Sequence, residues 1–245
     1  MVRPYEIWIG SYYHMSGGVR ALHILRDELL KRDIKAWMQY DGKYDPKMIG
    51  VYPEIIPNNP QQYSRVVRWK LNTADLPKDG PIFAWESGMG DHPLLTVNLL
   101  EPDLWTPNTG RRSGVAYWVG KGVKDERFIP DRAIEITRKN YTTRRELSDL
   151  IRGLDYLISF DPFTAVNLEA VVAGTPVLIR NTDIRWTREV IEQHDWLKYG
   201  VAWSMDSLDQ ARREVHLAHD HYYQNLVPVF DKRIDEFVEI TQEYF

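Results

Sequence analysis

The sequence predicts an α/β protein made of two domains, each of parallel sheet and helix. Three observations carry this. Short apolar runs rich in β-formers, such as "YEIWIG" and "DYLISF", alternate with amphipathic helical stretches. The first connection, through Gly17 and Gly18, is short and suits a β–loop–α–β unit with parallel strands. A polar, turn-rich stretch, "PNTGRRSG" at 107–114, separates two halves of the same style. The expected division is a first domain at 1–110, a second at 111–227, and a C-terminal helix at 228–245 packing back on the first.

The elements follow in order. "YEIWIG" (5–10) reads as a buried strand. In "GGVRALHILRDELLKR", Val19, Leu22, Leu25 and Leu29 fall at helical spacing with charges opposite. "IKAWMQY", "MIGVYPE", "PIFAWE" and "TVNLL" read as further strands, with a helix expected over 61–71. In the second half, "VAYWVG", "AIEIT", "DYLISF", "PVLIR" and "GVAW" read as strands. Thr143 with Glu146 three residues on is a capping-box pattern opening "TTRRELSDLIRGL". Helices fit 164–173, 186–198, 207–225 and 228–244.

Composition narrows the chemistry. The 245 residues include no cysteine, which excludes disulfides, thiolate metal sites and cysteine nucleophiles. No stretch approaches the roughly 20 apolar residues of a membrane span. The N-terminal apolar run is too short for a secretory signal, so a cytoplasmic protein is expected. The net charge of -4 argues against a whole-surface nucleic-acid footprint. Residues 111–152 nonetheless hold 11 Lys/Arg against 6 Asp/Glu. That basic segment is either an anion-binding place or a solvated face.

The chemistry concentrates in "FDPFTAVNLEAVVAGTPVLIR" (160–180). Asp161 falls at the end of a strand, where open α/β sheets bind ligands; it either contacts a ligand there or serves as a helix cap or loop carboxylate. A helix starting near Thr164 and Ala165 offers unpaired N–H groups to an anion. Glu169, inside an apolar helix, needs a partner; a ribose diol could donate two hydrogen bonds to it. Lys121 lies between Gly120 and Gly122 after a strand. It is either a cation for a diphosphate or an exposed turn lysine. Gly17 and Gly18 either form a tight turn or admit a substrate to the backbone. Arg65 and Arg68 would share a helix face, either holding an acidic acceptor or lining an ordinary surface. His14 and His92 lie on expected loops, placed to contact sugar hydroxyls, assist proton transfer or serve structure. His219 and His221 are two apart on a helix and point to different faces, so no metal site is expected.

Asp161, seven residues, Glu169 and then "AVVAGTPVLIR" resembles the donor-site signature of the retaining GT-B glycosyltransferases of family 4, with aspartate where the pattern has its first glutamate. "SGGVRALHILRDELLKRDIKAW", "YWVGKG" and "VYPEIIPNNPQQYSRVVRWKLN" resemble other parts of that group's bacterial polysaccharide branch. The resemblance implies a GT-B fold, two Rossmann-like domains facing a central cleft. It implies transfer of a hexose or pentose from a nucleoside-diphosphate sugar, UDP or GDP, to a glycan or other hydroxyl acceptor. Anomeric configuration is retained, no metal or other cofactor is required, and a donor phosphate oxygen takes the acceptor proton. Combined with the residue readings, the expected catalytic set is Asp161, Lys121 and His92. The expected donor-binding set is Gly17, Gly18, Lys121, Gly122, Phe163, Thr164, Ala165 and Glu169. His14, Arg65 and Arg68 are the acceptor candidates. Two alternatives stand beside this: a viral-type enzyme acting on modified DNA bases, and a non-catalytic nucleotide-sugar-binding partner of a larger transferase.

Overall fold

The first strand, β1 (Tyr5–Ile7), is buried along its whole length, as expected of a strand covered on both faces of a parallel sheet. It leads to α1 (Gly17–Lys31), whose start is capped by Ser16 Oγ accepting from the Val19 amide at 3.3 Å. Leu22, Leu25 and Leu29 bury the helix's apolar face. Then come β2 (Ala36–Met38), β3 (Ile49–Pro53), β4 (Val66–Lys70) and β5 (Ile82–Ala84). They form one parallel sheet in the order β2-β1-β3-β4-β5. This computed structural model describes residues 2–9, 13, 15–72, 75–137, 139–180 and 186–245.

The second half contributes β6 (Val115–Trp118), β7 (Ile134–Ile136), α2 (Arg144–Gly153), β8 (Tyr156–Ser159), α3 (Ala165–Val172) and β9 (Val177–Ile179). They are followed by α4 (Arg188–Ile191), β10 (Val201–Ala202), α5 (Met205–Glu214), α6 (His216–Asp220), a π-helical turn at His221–Leu226 and α7 (Val227–Tyr244). Its sheet is also parallel, in the order β10-β9-β8-β6-β7. In the first sheet the order reads 2-1-3-4-5, and the second, read from its β7 edge, runs 2-1-3-4-5 as well. That doubly wound order reverses direction between the first and third strands, where such folds bind ligands. The capping box at α2 is present: Thr143 Oγ1 accepts from the Glu146 amide, and Glu146 accepts from the Thr143 amide.

The chain divides into two compact units, Met1–Leu99 with Val227–Phe245, and Leu100–Leu226. The division falls at Leu99/Leu100, not at 110. The segment before 110 carries Trp105, fully buried, and the Leu104 carbonyl, which accepts from Ser148 Oγ at 2.6 Å. The last helix belongs to the first sheet. Phe237 lies 5.5 Å from the Tyr5 ring and 4.9 Å from that of Phe83. Tyr5 OH and Thr241 Oγ1 share a hydrogen bond of 2.6 Å. Among the described residues, no helix is long and apolar enough to cross a membrane.

Three expected elements differ. The helix expected over 61–71 is strand β4 with its lead-in loop. Tyr63, Val66, Val67 and Lys70 mimic a helical period, but Val66–Trp69 is buried on both faces of the sheet. Arg68, which interrupts the apolar run, is itself buried against Asp79. "TVNLL" forms no strand; its buried residues pack without a ladder. The helix expected at 186–198 is only α4 and a 3₁₀ turn at Asp195–Leu197.

One buried network in the first unit makes a prediction. Tyr63 OH and Trp8 Nε1, the latter at 2.9 Å, both donate to the buried Glu6 carboxylate. Burial pushes the Tyr52 phenol up to about 12 from 10.0, and raises Tyr63 as well, with the Glu6 carboxylate adding to burial. A phenol whose folded pKa is raised stabilises fully below its unfolded pKa and loses that contribution as pH rises toward the folded one. This unit is therefore expected to lose stability between pH 10 and about 12. Phenolate absorbance at alkaline pH should reach the value for all 14 tyrosines only with unfolding. Full ionisation with the fold intact would refute this.

Candidate functional site

In the second unit the order reverses between β6 and β8, and the loops leaving these two strands meet. After Trp118 the chain passes through Val119, Gly120, Lys121 and Gly122. Gly120 has φ +55, in the left-handed region glycine adopts without strain. A Cβ on Gly120 would overlap the Asp161 carboxylate and lie 2.5 Å from Trp118 Nε1. A Cβ on Gly122 would overlap the Phe160 carbonyl. The two glycines thus let one loop lie directly against the other.

Asp161 holds that approach. Its Oδ2 accepts from the Lys121 amide at 3.0 Å. The Asp161 main chain is fixed in turn: its carbonyl accepts from Ser159 Oγ at 2.8 Å and from Asn167 Nδ2 at 3.0 Å. Asp161 is 6% exposed, so its carboxylate organises the loop. Lys121 is exposed and makes no ion pair among the described residues. Trp118 Nε1, buried beside Gly120, finds no acceptor among them. Thr164 caps α3 without a side-chain hydrogen bond, and the first turn of α3 has no acidic residue. The Asn167 amide donates to the Thr164 carbonyl at 3.2 Å; the amides of Ala165 and Val166 have no intrahelical acceptor, and the helix dipole favours an anion there.

Glu169 has a partner inside the protein. It is 1% exposed, and its Oε1 accepts from Arg144 Nη1 at 2.9 Å. Arg144 stands at the start of α2, over the Trp105 ring at 4.7 Å. It reaches Glu101 Oε2 at 3.2 Å, and Trp105 Nε1 donates to the same oxygen at 3.1 Å. Burial pulls the Arg144 pKa down, and the Glu169 and Glu101 carboxylates together outweigh it, leaving it raised. The carboxylate expected to face a ribose diol holds Arg144 through one of its oxygens. A glutamate within "NLEAVVAG" needs a partner; that partner is 25 residues earlier.

The other expected residues separate. Asp161, Lys121, Gly122, Thr164 and Ala165 gather at the β6/β8 edge. Phe163 lies flat on Trp186, centroids 4.1 Å apart and planes 2° apart, with Trp196 edge-on at 5.5 Å. Its ring is packed against these aromatics. Gly17 and Gly18 open α1 in the other unit, and neither has positive φ. A Cβ on Gly18 would make only ordinary contact with Leu71, at 3.6 Å. His92, in the same unit, is half-buried beside Gly90. His14 lies outside the described residues. Arg65 and Arg68 do not share a helix face, because they lie on and before β4. Arg68 is fully buried, with Nε and Nη2 on Asp79 at 2.9 and 2.5 Å and Nη1 on the Ile56 carbonyl at 2.6 Å. It is a structural ion pair, and the guanidinium hydrogen bond holds the Asp79 carboxyl below its ordinary range. Arg65 donates to the Lys47 carbonyl at 3.4 Å.

Trp118 and Arg144 escape a reading of the sequence. An indole N–H just before a glycine pair, and an arginine at a helix's first position, carry no local signal of their roles. Among the described residues, no group of three or more His, Cys, Asp and Glu could hold a metal ion. No protein-family model matches the chain, and no match was found among curated proteins.

Proposed function

We propose that the chain is a nucleotide-sugar-dependent glycosyltransferase of the GT-B kind, with the donor diphosphate held at the β6/β8 edge of the second unit. The observation that carries this is an exposed Lys121, with no ion pair among the described residues, on the loop that meets the one leading into α3, at the reversal point of a doubly wound sheet. A leaving diphosphate develops negative charge as the glycosidic bond breaks. A lysine and oriented N–H groups stabilise that charge. Asp161 serves by aligning the Lys121 amide, and it does not touch the sugar. Glu169 braces α3 against α2 through Arg144, so any ribose contact comes from another group. Retention, a UDP or GDP base and a hydroxyl acceptor follow from the resemblance.

The test is thermal unfolding of the wild type and Lys121→Ala against UDP-, GDP-, TDP- and CMP-sugars. A ligand at about a hundred times its dissociation constant stabilises by roughly 2.7 kcal/mol, at about 2–4 °C per kcal/mol for a chain of this size. One nucleotide class is expected to stabilise the wild type. Lys121→Ala should weaken that ligand by about 10–100-fold, the worth of one charged hydrogen bond. No shift with any donor would reject the proposal. Binding without turnover by the isolated chain would favour the non-catalytic partner.

A further inference from the structure

The second unit carries a cavity at the opposite edge of its sheet, where β8 and β9 begin. Asp155 directly precedes β8 and Pro176 directly precedes β9; both line it, with Asn108, Arg112, Arg212 and His216. The volume is about 410 Å³, within the range of small-molecule sites. None of these residues belongs to the loops at the β6/β8 edge, and the proposed donor site uses none of them.

The charge inside is one-sided. Two arginines, Arg112 and Arg212, and His216 line the cavity with one acid, Asp155, whose carboxylate accepts from Arg212 Nη2 at 2.8 Å. Arg212 is also paired with Asp209 at 2.8 Å. Arg112 makes no ion pair among the described residues, and the Asp155 carboxylate acts on it only from a distance, against the opposing charge of Arg152. The Arg112 Nη2 donates to the carbonyls of Ala173, at 3.1 Å, and Asn108, at 3.3 Å, and its Nη1 to Thr175 Oγ1 at 3.5 Å. These acceptors are neutral and leave donors of the five-donor fork unused. The carboxyl end of α3 supplies only about half a negative charge. Arg152 adds a second positive charge close enough to act, with burial, in lowering the Arg112 pKa. The Arg152 Nε is buried with no acceptor among the described residues.

The approach of Arg112 is built into the backbone. Gly174 has φ +78, and a Cβ there would lie 2.6 Å from Arg112 Nη2. The turn that ends α3 thus brings the guanidinium to the cavity wall with no side chain between.

We propose that this cavity binds a phosphate group, held by Arg112 and flanked by Arg212 and His216. A planar guanidinium matches phosphate oxygens in pairs, and a doubly charged oxyanion answers the excess of arginine. The volume leaves room for an organic remainder, so a phosphorylated small molecule and free phosphate are the two sources to separate. This inference does not depend on the glycosyltransferase reading.

The experiment titrates the full chain with inorganic phosphate and, separately, with glycerol 2-phosphate. Binding is followed by calorimetry at matched ionic strength. Saturable binding is expected, weakened tenfold or more in Arg112→Gln and severalfold in His216→Ala. His216 is exposed and outside the core, so its variant carries the test should Arg112→Gln misfold. Tighter binding of the ester assigns the cavity to a phosphorylated molecule; equal or tighter binding of inorganic phosphate assigns it to the free ion. No saturable binding of either probe overturns the proposal. So does binding that survives both variants and is lost only in Lys121→Ala.

Discussion

Gly122→Ala is expected to lower the melting temperature by about 6–12 °C and to abolish donor binding, more completely than loss of Lys121 does. The added Cβ would overlap the carbonyl of Phe160, which is backbone at the end of β8 and cannot swing aside. The residues around it are pinned. The Phe160 amide donates to the Trp118 carbonyl at 2.9 Å, and the Gly122 amide to that of Val119 at 2.8 Å. Either β8 bends at its end or the loop lifts, and lifting breaks the bond from the Lys121 amide to Asp161. Overpacking of this kind costs about 1–3 kcal/mol, and a hydrogen bond to a charged group about 1.5–3 kcal/mol. A total near ~3 kcal/mol corresponds to the stated shift for a chain of this length. Gly153→Ala is the control. A Cβ on Gly153, in α2, meets nothing within 4 Å and should be neutral or slightly stabilising. Calorimetry of both variants checks the pair; an unchanged melting temperature and intact binding in Gly122→Ala would refute the contact between the loops.

Arg144→Met should be the most damaging single substitution among the charged residues, at about 3–5 kcal/mol. It leaves the Glu169 carboxylate at 1% exposure without its guanidinium. The half-exposed Glu101, by contrast, can turn to water. The diagnostic is rescue. Arg144→Met combined with Glu169→Leu removes the stranded charge and should recover most of the lost stability, since an apolar pair of similar volume replaces a buried ion pair at little cost. Chemical denaturation of the two single variants and the double variant gives the coupling directly. An Arg144→Met protein of wild-type stability that has lost nucleotide binding would reverse the assignment and return Glu169 to the ligand.

The parts of this architecture that depend on neighbours along the chain are legible in the sequence itself. Leu22, Leu25 and Leu29 announce α1, and Thr143 with Glu146 marks the start of α2 within a residue. The parts that depend on distant partners are not. Strand order is a choice among long-range pairings, and no local pattern encodes it. β4 reads as a helix because a charged residue inside an apolar run signals a solvent face unless its counter-ion is known; Asp79 lies 11 residues on. The same limit holds at the site. The spacing of Asp161 and Glu169 places both acids beside a strand end and a helix start, because those are local events. What each carboxylate does there is decided by Lys121, 40 residues before Asp161, and by Arg144, 25 before Glu169.

The first unit is assembled from both ends of the chain, and this bears on how the protein is made. Synthesis proceeds from the amino end, and a domain acquires its fold once its own residues have left the ribosome. Residues 100–226 are all present before α7 emerges, so the second unit can fold on the nascent chain. The first unit, although begun earliest, must wait. Until Phe237 arrives to cover Tyr5 and Phe83, those rings belong to an unfinished core. The unit begun before the other is completed after it, and its apolar surface stays uncovered while residues 100–226 are made.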